Sequence, residues 1–123
     1  MSHRKLLPAL LALALFPIAA LGADLSGTWK ASFDTQVGKQ DYTYTFVAAG
    51  DKLTGRMKST NGESDVVEGK ISGDTITFVE NLNYQGQAIR ITYTGKVVSA
   101  DEIRFSRDVM GIAQEELVAK RAK

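Results

Sequence analysis

From Asp24 onward, apolar and polar residues alternate, and this period of two constrains the fold more than any other feature of the sequence. Successive side chains of a β-strand point to opposite faces of a sheet, so a strand with one buried face has this alternation. Leu25, Trp29 and Phe33 fall on one face of the first such segment, with polar residues between them. No stretch of useful length has the spacing of an amphipathic helix. The pattern predicts a chain built from strands.

Turn-forming residues divide this region into eight strands, predicted near residues 24–33, 41–48, 52–58, 64–71, 75–81, 88–98, 102–109 and 112–120. Asn61-Gly62 predicts a type I′ hairpin because both residues tolerate positive φ. Residues 81–87 are predicted to form a longer loop. Eight hairpin-linked strands are about the number that closes around a small interior. The sequence therefore predicts an all-β fold, an eight-stranded antiparallel up-and-down meander β-barrel.

Residues 1–23 have the organisation of a secretory signal peptide, with a basic segment at 3–5, an apolar run at 6–18 and small residues at 19–23. The apolar run has about 13 residues, fewer than the ~20 that a membrane-spanning helix needs. A cleaved signal is therefore predicted rather than an anchor.

Cleavage is predicted after Gly22 or Ala23, and the absence of cysteine at this boundary excludes a bacterial lipoprotein anchor. The predicted domains are a signal peptide at 1–23 and a barrel at 24–123. The mature protein is expected in the periplasm or outside the cell, with no stable membrane anchor.

Composition removes several kinds of chemistry. The only histidine, His3, lies in the predicted signal peptide, the chain has no cysteine, and 13 basic residues then face 14 acidic ones. Imidazole bases, thiolate nucleophiles and Cys/His zinc sites are thereby excluded from the predicted barrel domain. The balanced charge is unlike that of a broad nucleic-acid-binding face. We therefore predict no catalytic residue, metal site, cofactor or nucleic-acid partner, and the sequence leaves the oligomeric state open.

The motif Gly27-x-Trp29 at the start of the first strand resembles the opening motif of the calycin superfamily, which covers lipocalins, fatty-acid-binding proteins and avidins. In those families the tryptophan closes one end of the barrel, and a basic residue on a late strand often lies across its ring. The resemblance implies closure by Gly27, Trp29 and Arg121, with Arg104 or Arg107 as alternative partners.

A second stretch, Leu53-Thr54-Gly55, is similar to the third strand of avidins. Avidins line their biotin pocket with several further tryptophans, whereas Trp29 is the only one in this chain. The short connection after the first strand also leaves no room for the two-helix lid of fatty-acid-binding proteins. The resemblance therefore implies the fold and leaves the ligand open.

Strand parity places polar side chains inside the predicted barrel. If Phe105 points inward, so does Arg107, and the same parity places Glu80 and Tyr93 inside. A buried arginine is costly unless it is paired. Arg107 therefore requires Glu80, a tyrosine or an anionic ligand, unless it lies at the barrel mouth beside solvent. An inward Arg107 that binds the carboxylate of a ligand together with a tyrosine would resemble the Arg/Tyr anchor of fatty-acid-binding proteins.

The tyrosines either line a pocket for flat apolar molecules or sugars, or fill the barrel interior. Tyr84 lies in the predicted 81–87 loop, where packing explains a tyrosine less easily. The candidate ligand-binding residues are Arg107, Tyr93, Tyr84, Tyr44 and Glu80.

The leading prediction for function is an exported barrel that binds a small apolar or aromatic molecule in its interior without catalysis. One alternative is an accessory module or weak carboxylate hydrolase of extracellular polymer metabolism, with Glu68 and Glu80 as its acids. The other is a structural or interaction protein with a packed barrel. Glu115-Glu116 is interpreted as solvated strand charge. An interior pocket of several hundred Å³ would favour the first function, exposed Glu68 and Glu80 the second, and a filled interior the third.

Overall fold

The computed structural model describes residues 25–122, which form one closed barrel of eight antiparallel strands. The strands are β1 (Gly27–Thr35), β2 (Gly38–Ala49), β3 (Lys52–Ser59), β4 (Gly62–Ser72), β5 (Thr75–Tyr84), β6 (Gln87–Ser99), β7 (Glu102–Val109) and β8 (Ala113–Arg121). Each strand pairs with the next along the chain, and β8 returns to β1. The predicted meander barrel is confirmed. The predicted signal peptide and its cleavage position lie outside the described residues.

The alternation of the sequence becomes the inside and the outside of the barrel. In β1 the buried residues are Trp29, Ala31 and Phe33, with exposed residues between them. The inward residues of all eight strands contribute to one hydrophobic core. Residues 25–122 include no helix that is long and apolar enough to cross a membrane.

The middle of the barrel is filled by aromatic side chains. The rings of Phe78 and Tyr93 stack with centroids 4.3 Å apart, and Tyr44 and Phe105 pack against both. Gly95 lies opposite Phe105 on the neighbouring strand, where a Cβ atom would come within 2.4 Å of that ring. The glycine therefore makes room for the ring, and aromatic packing leaves little space at this level.

Two predicted turns differ from the structure. The loop predicted at residues 81–87 is wrong: β5 runs to Tyr84, β6 begins at Gln87, and only Gln85 and Gly86 lie between them. Both of these residues have positive φ, 52° and 80°, as a two-residue turn of type I′ requires. The predicted Asn61-Gly62 turn is displaced by one residue, since Gly62 already belongs to β4 and Asn61 does not have positive φ.

The seam between β1 and β8 is the shortest ladder of the barrel. Among the described residues only Trp29 pairs with Arg121 and Lys30 with Lys120, whereas β1 and β2 share nine pairs. Continuing the seam register would place Asp34 opposite Glu116, and both are exposed. Like charges that face each other across strands destabilise pairing. A ladder that extended to this position would therefore place two acidic side chains opposite each other.

The turns define two ends of the barrel. The turns after β2, β4 and β6 lie at one end, together with residues 25 and 122, and we call this the closed end. The turns after β1, β3, β5 and β7 lie at the other, which we call the open end. An antiparallel meander always separates alternate turns in this way, so residues distant in sequence meet at each end.

Candidate functional site

The closed end is plugged by a single indole ring. Trp29 is fully buried, and its Nε1–H donates a hydrogen bond of 3.0 Å to the carbonyl oxygen of Leu25. The guanidinium of Arg121 lies over the ring, with its Cζ atom 4.4 Å from the ring centroid. The structure thus places the indole, its donor and a cation in one compact arrangement.

Gly27 and Arg121 fit together at this end. Gly27 has φ of +134°, and a Cβ atom there would lie 3.1 Å from Nη1 of Arg121. The arginine donates from Nη1 to the carbonyl of Ser26 and from Nε to the carbonyl of Ala100, both at 3.0 Å. Arg104, an alternative partner for the indole, lies outside with Glu102, and Arg107 lies near the open end.

The open end contains a pocket of about 150 Å³, which we call the open-end pocket. One wall is apolar and includes Leu82, Ile89, Ile91 and Val109 on β5, β6 and β7. The other wall is polar and includes Gln40, Asn61, Arg107 and Glu115. Tyr42 and Tyr84 also line it, and residues of the β1–β2 turn form part of its rim. The pocket is smaller than the several hundred Å³ that would mark a large interior site.

Arg107 is the centre of a buried ionic cluster at the floor of this pocket. Its side chain is 3 % exposed, and its Nη1 lies 3.0 Å from Oε1 of Glu115. Its Nη2 lies 3.5 Å from Oε1 of Glu80, which is 1 % exposed. Arg107 and Glu115 face each other across the β7–β8 ladder. Buried charges persist only when they are paired in this manner.

Tyrosine hydroxyls connect this cluster to the packed core. Tyr42 donates to Oε2 of Glu80 at 2.7 Å and accepts from Nη2 of Arg107 at 3.3 Å. Tyr93 donates to Oε1 of Glu80 at 2.9 Å. Its hydroxyl also lies 3.1 Å from that of Tyr44, which must then be the donor in this pair. The network holds Glu80 from several sides and fixes the orientation of its carboxyl group.

Burial dominates the electrostatics of the cluster. It raises the pKa of Glu80, although hydrogen bonds from Tyr42 and Tyr93 and the charge of Arg107 act in the opposite direction. Burial also raises the pKa values of Tyr44 and Tyr93 well above 10, so both phenols stay protonated. Burial lowers the pKa of Arg107. The interactions with Tyr93, Tyr42 and Glu80 raise it by more, so the pKa lies above its ordinary value. The guanidinium is therefore charged at neutral pH.

The guanidinium of Arg107 also packs against aromatic rings, and one of its nitrogen atoms has no acceptor. Its Cζ atom lies 5.0 Å from the ring centroid of Phe33, 5.1 Å from that of Tyr42 and 5.3 Å from that of Tyr93. The Nε atom is buried and has no hydrogen-bond partner among residues 25–122. Such groups are rare in folded proteins and each calls for an explanation.

The structure distributes the five candidate ligand-binding residues over two levels. Arg107 and Tyr84 line the open-end pocket. Glu80 lies beneath Arg107, and Tyr93 and Tyr44 are fully buried in the packed core. Tyr84 is the last residue of β5 rather than part of a loop. Arg107 is buried and paired, so the interpretation that it lies beside solvent is wrong.

The proposed pair of catalytic acids does not form. The side chain of Glu68 is 60 % exposed on the outside of the barrel, where it pairs with Arg90 at 3.0 Å. Glu80 points into the interior and lies opposite Val66, because a bulge beside Glu68 shifts the β4–β5 register. The two carboxylates lie on opposite sides of the barrel wall. They therefore cannot act together on one bond, as the hydrolase interpretation requires.

Glu115 is the charged residue of the candidate site whose environment the sequence interpretation got wrong. Its side chain is 10 % exposed and paired with Arg107, so it is not solvated strand charge. The sequence did contain the necessary pattern: Glu115 has the same parity as Leu117 and Ala119, which are buried. Gln40 was missed because the predicted strand began at residue 41. In the structure β2 begins at Gly38, and Gln40 points inward with the same parity as Tyr42.

The fold and the pocket together define a small closed barrel with a hollow at one end. No group of histidine, cysteine, aspartate and glutamate side chains within residues 25–122 is arranged to hold a metal ion.

Two solved structures resemble this barrel. EF1p2_mFAP2b bound to DFHBI superposes with a TM-score of 0.57 at 13 % identity, covering 85 % of this chain and 97 % of that one. A redesigned β-barrel, mFAP1, also bound to DFHBI, has a TM-score of 0.54 at 13 % identity, covering 82 % of this chain and 99 % of that one. No protein-family model and no curated protein matches the chain. At this identity the likeness shows the fold alone.

Proposed function

We propose that this protein is an exported, calycin-type barrel that binds a small, mainly apolar ring compound in the open-end pocket. The observation that carries the proposal is the contrast within the interior. Aromatic side chains fill the barrel's middle, while Leu82, Ile89, Ile91 and Val109 face a pocket of about 150 Å³. An apolar cavity of about that size takes up benzene in another protein, so the proposed ligand has one ring.

Two further observations support the proposal. Both structural neighbours hold a small molecule, DFHBI, and this barrel shares their architecture at TM-scores of 0.57 and 0.54. The polar cluster around Arg107 lies directly at the pocket, where a few placed polar groups would fix the orientation of a ligand. Export rests on the composition of residues 1–23, and mass spectrometry of the protein from its source tests it by the position of the mature amino terminus.

Titration with toluene, followed by NMR of methyl groups, tests the binding function. We expect saturable chemical-shift changes at Leu82, Ile89 and Val109, because these residues form the apolar wall. Ala113→Phe places a ring in the pocket and should abolish the changes. Ala100→Phe is the matched control, since Ala100 is exposed in the β6–β7 turn at the closed end. Shifts confined to exposed valines such as Val47 would contradict the proposal.

A further inference from the structure

The charge of the Arg107 cluster constrains which ligand the open-end pocket accepts. One guanidinium there faces two carboxyl groups, those of Glu115 at 3.0 Å and Glu80 at 3.5 Å. With both ionised, the cluster carries one net negative charge; with Glu80 protonated, it is neutral. In neither state does the pocket floor offer excess positive charge to an incoming carboxylate, which would lose its water and meet a guanidinium whose charge is already balanced.

The guanidinium of Arg107 has five N–H groups and makes three hydrogen bonds, so it can still donate to an acceptor of a different kind. Nη1 is engaged by Glu115, and Nη2 by Tyr42 and Glu80. Nε is buried and has no acceptor among residues 25–122. An uncharged oxygen, such as that of an amide or ketone, can accept from an N–H group of the guanidinium without adding a third negative charge to the cluster.

The remaining polar groups of the wall are uncharged amides. Asn61 donates from Nδ2 to Oε1 of Gln40 at 3.1 Å, and both side chains line the pocket. Glu115 lies beside them, with carboxylate oxygens that accept from a ligand N–H. The polar wall thus combines a donor in need of an acceptor, a carboxylate acceptor and neutral amides. Opposite it lies the apolar wall of Leu82 and Ile89.

From this arrangement we infer that the open-end pocket selects uncharged ring compounds bearing a carboxamide or similar acceptor–donor group, and rejects carboxylates of the same shape. The inference rests on the proposed binding function. The ring packs on the apolar wall, the carbonyl oxygen accepts from Arg107, and the amide N–H donates toward Glu115. This replaces the carboxylate anchor predicted from the sequence, because two of the protein's own carboxyl groups already occupy the guanidinium.

Three near-isosteric probes test the selection: benzamide, benzoate and benzamidinium, compared by calorimetry or NMR at neutral pH. We expect benzamide to bind at least about tenfold more tightly than benzoate. Benzamidinium should also bind more weakly than benzamide, because it has no oxygen that can accept from the guanidinium of Arg107. Equal or tighter binding of benzoate or benzamidinium would overturn the inference.

Glu115→Gln sharpens this test. Removing that carboxylate frees the guanidinium, so the preference for benzamide over benzoate should fall by about tenfold. Glu63→Gln is the matched control, since this carboxylate is exposed on the outside of the barrel, where it pairs with Arg56, and should leave the preference unchanged. An equal effect of the two variants, or none from Glu115→Gln, would overturn the inference. If toluene also fails to bind, the proposed function itself is wrong; if toluene binds and the probes do not discriminate, only the inferred selection is wrong.

Discussion

An arginine packs against aromatic side chains at each end of the barrel, but the two arginines have different hydrogen-bond partners and different surroundings. At the closed end Arg121 lies over Trp29 and donates to the backbone carbonyls of Ser26 and Ala100. At the open end Arg107 lies inside, where it is held by side chains and borders a pocket. Backbone partners are present in any sequence with this fold, whereas side-chain partners must be supplied by particular residues. The comparison separates a closing contact from a candidate binding group.

The two arginines also differ in their exposure to water. The side chain of Arg121 is 24 % exposed, and its ion pair with Asp101 is close to solvent. Arg107 is 3 % exposed, and Glu80 beneath it is 1 % exposed. Electrostatic interactions are weakened by water near the surface and remain strong in the interior. The loss of Arg107 should therefore matter far more than the loss of Arg121.

Replacing each arginine by methionine is expected to give the largest difference between the ends. Arg107→Met leaves buried carboxyl groups without their cation and should lower the free energy of unfolding by about 3–5 kcal/mol. Arg121→Met loses the stacking contact with Trp29, worth about 0.5–2 kcal/mol, together with two partly exposed hydrogen bonds to backbone carbonyls, and leaves no buried charge behind. Urea denaturation followed by circular dichroism measures both changes.

A double variant checks the cause of the larger effect. In Arg107→Met combined with Glu80→Gln, the uncompensated buried carboxylate is removed, so much of the lost stability should return. Equal losses in the two single variants would contradict the assignment of Arg107 to a buried ion cluster.

The pH dependence of stability is expected to reveal Glu80. Its pKa in the folded protein is raised above the ordinary 4.5 by burial, so the folded state holds the proton more tightly than the unfolded chain. The contribution of Glu80 to the free energy of unfolding should be fully present below about pH 4.5. It should be lost as the pH rises through the raised pKa. Each unit of pKa difference corresponds to about 1.4 kcal/mol.

Urea unfolding midpoints measured between about pH 4.5 and 8 test this slope, and Glu80→Gln should flatten it. Glu102, near the closed end, titrates in the opposite sense: its hydrogen bonds with Lys120 and Arg104 lower its pKa, so its contribution is lost only below the chosen range. A slope that persists in Glu80→Gln would contradict the assignment.

The smallest expected effect concerns the seam between β1 and β8, which is paired near the closed end and unpaired toward the open end. Glu116→Lys would replace the repulsion of Asp34 by attraction and extend the ladder, with a gain of about 0.2–1 kcal/mol. Hydrogen exchange of amides in residues 31–35 should slow in this variant. No change in exchange would show that another cause keeps the seam short.

The strand count and the inward faces could be predicted because both depend on local information. Period-two alternation sets which side chains share a face, and turn residues set where a strand ends. Thus the inward direction of Trp29, Glu80 and Arg107 followed from parity, although parity left open whether Arg107 lies beside solvent at the barrel mouth. The hairpin at Gln85-Gly86 was missed because glutamine rarely takes the positive φ that it adopts there. Local rules therefore predicted the elements better than their boundaries.

The open-end pocket and its partners were decided by the tertiary structure. The hydroxyl of Tyr42 and the carboxyl group of Glu80 meet across the barrel although they lie 38 residues apart, and Arg107 meets Glu115 through the β7–β8 register. Parity says that a side chain points inward but not at what height it lies or what it faces. Those relations depend on strand register and on the bulges that shift it, as at Glu68. The sequence by itself determined a barrel with charged groups inside, and only closure of the sheet determined that they pair with one another beside a hollow end.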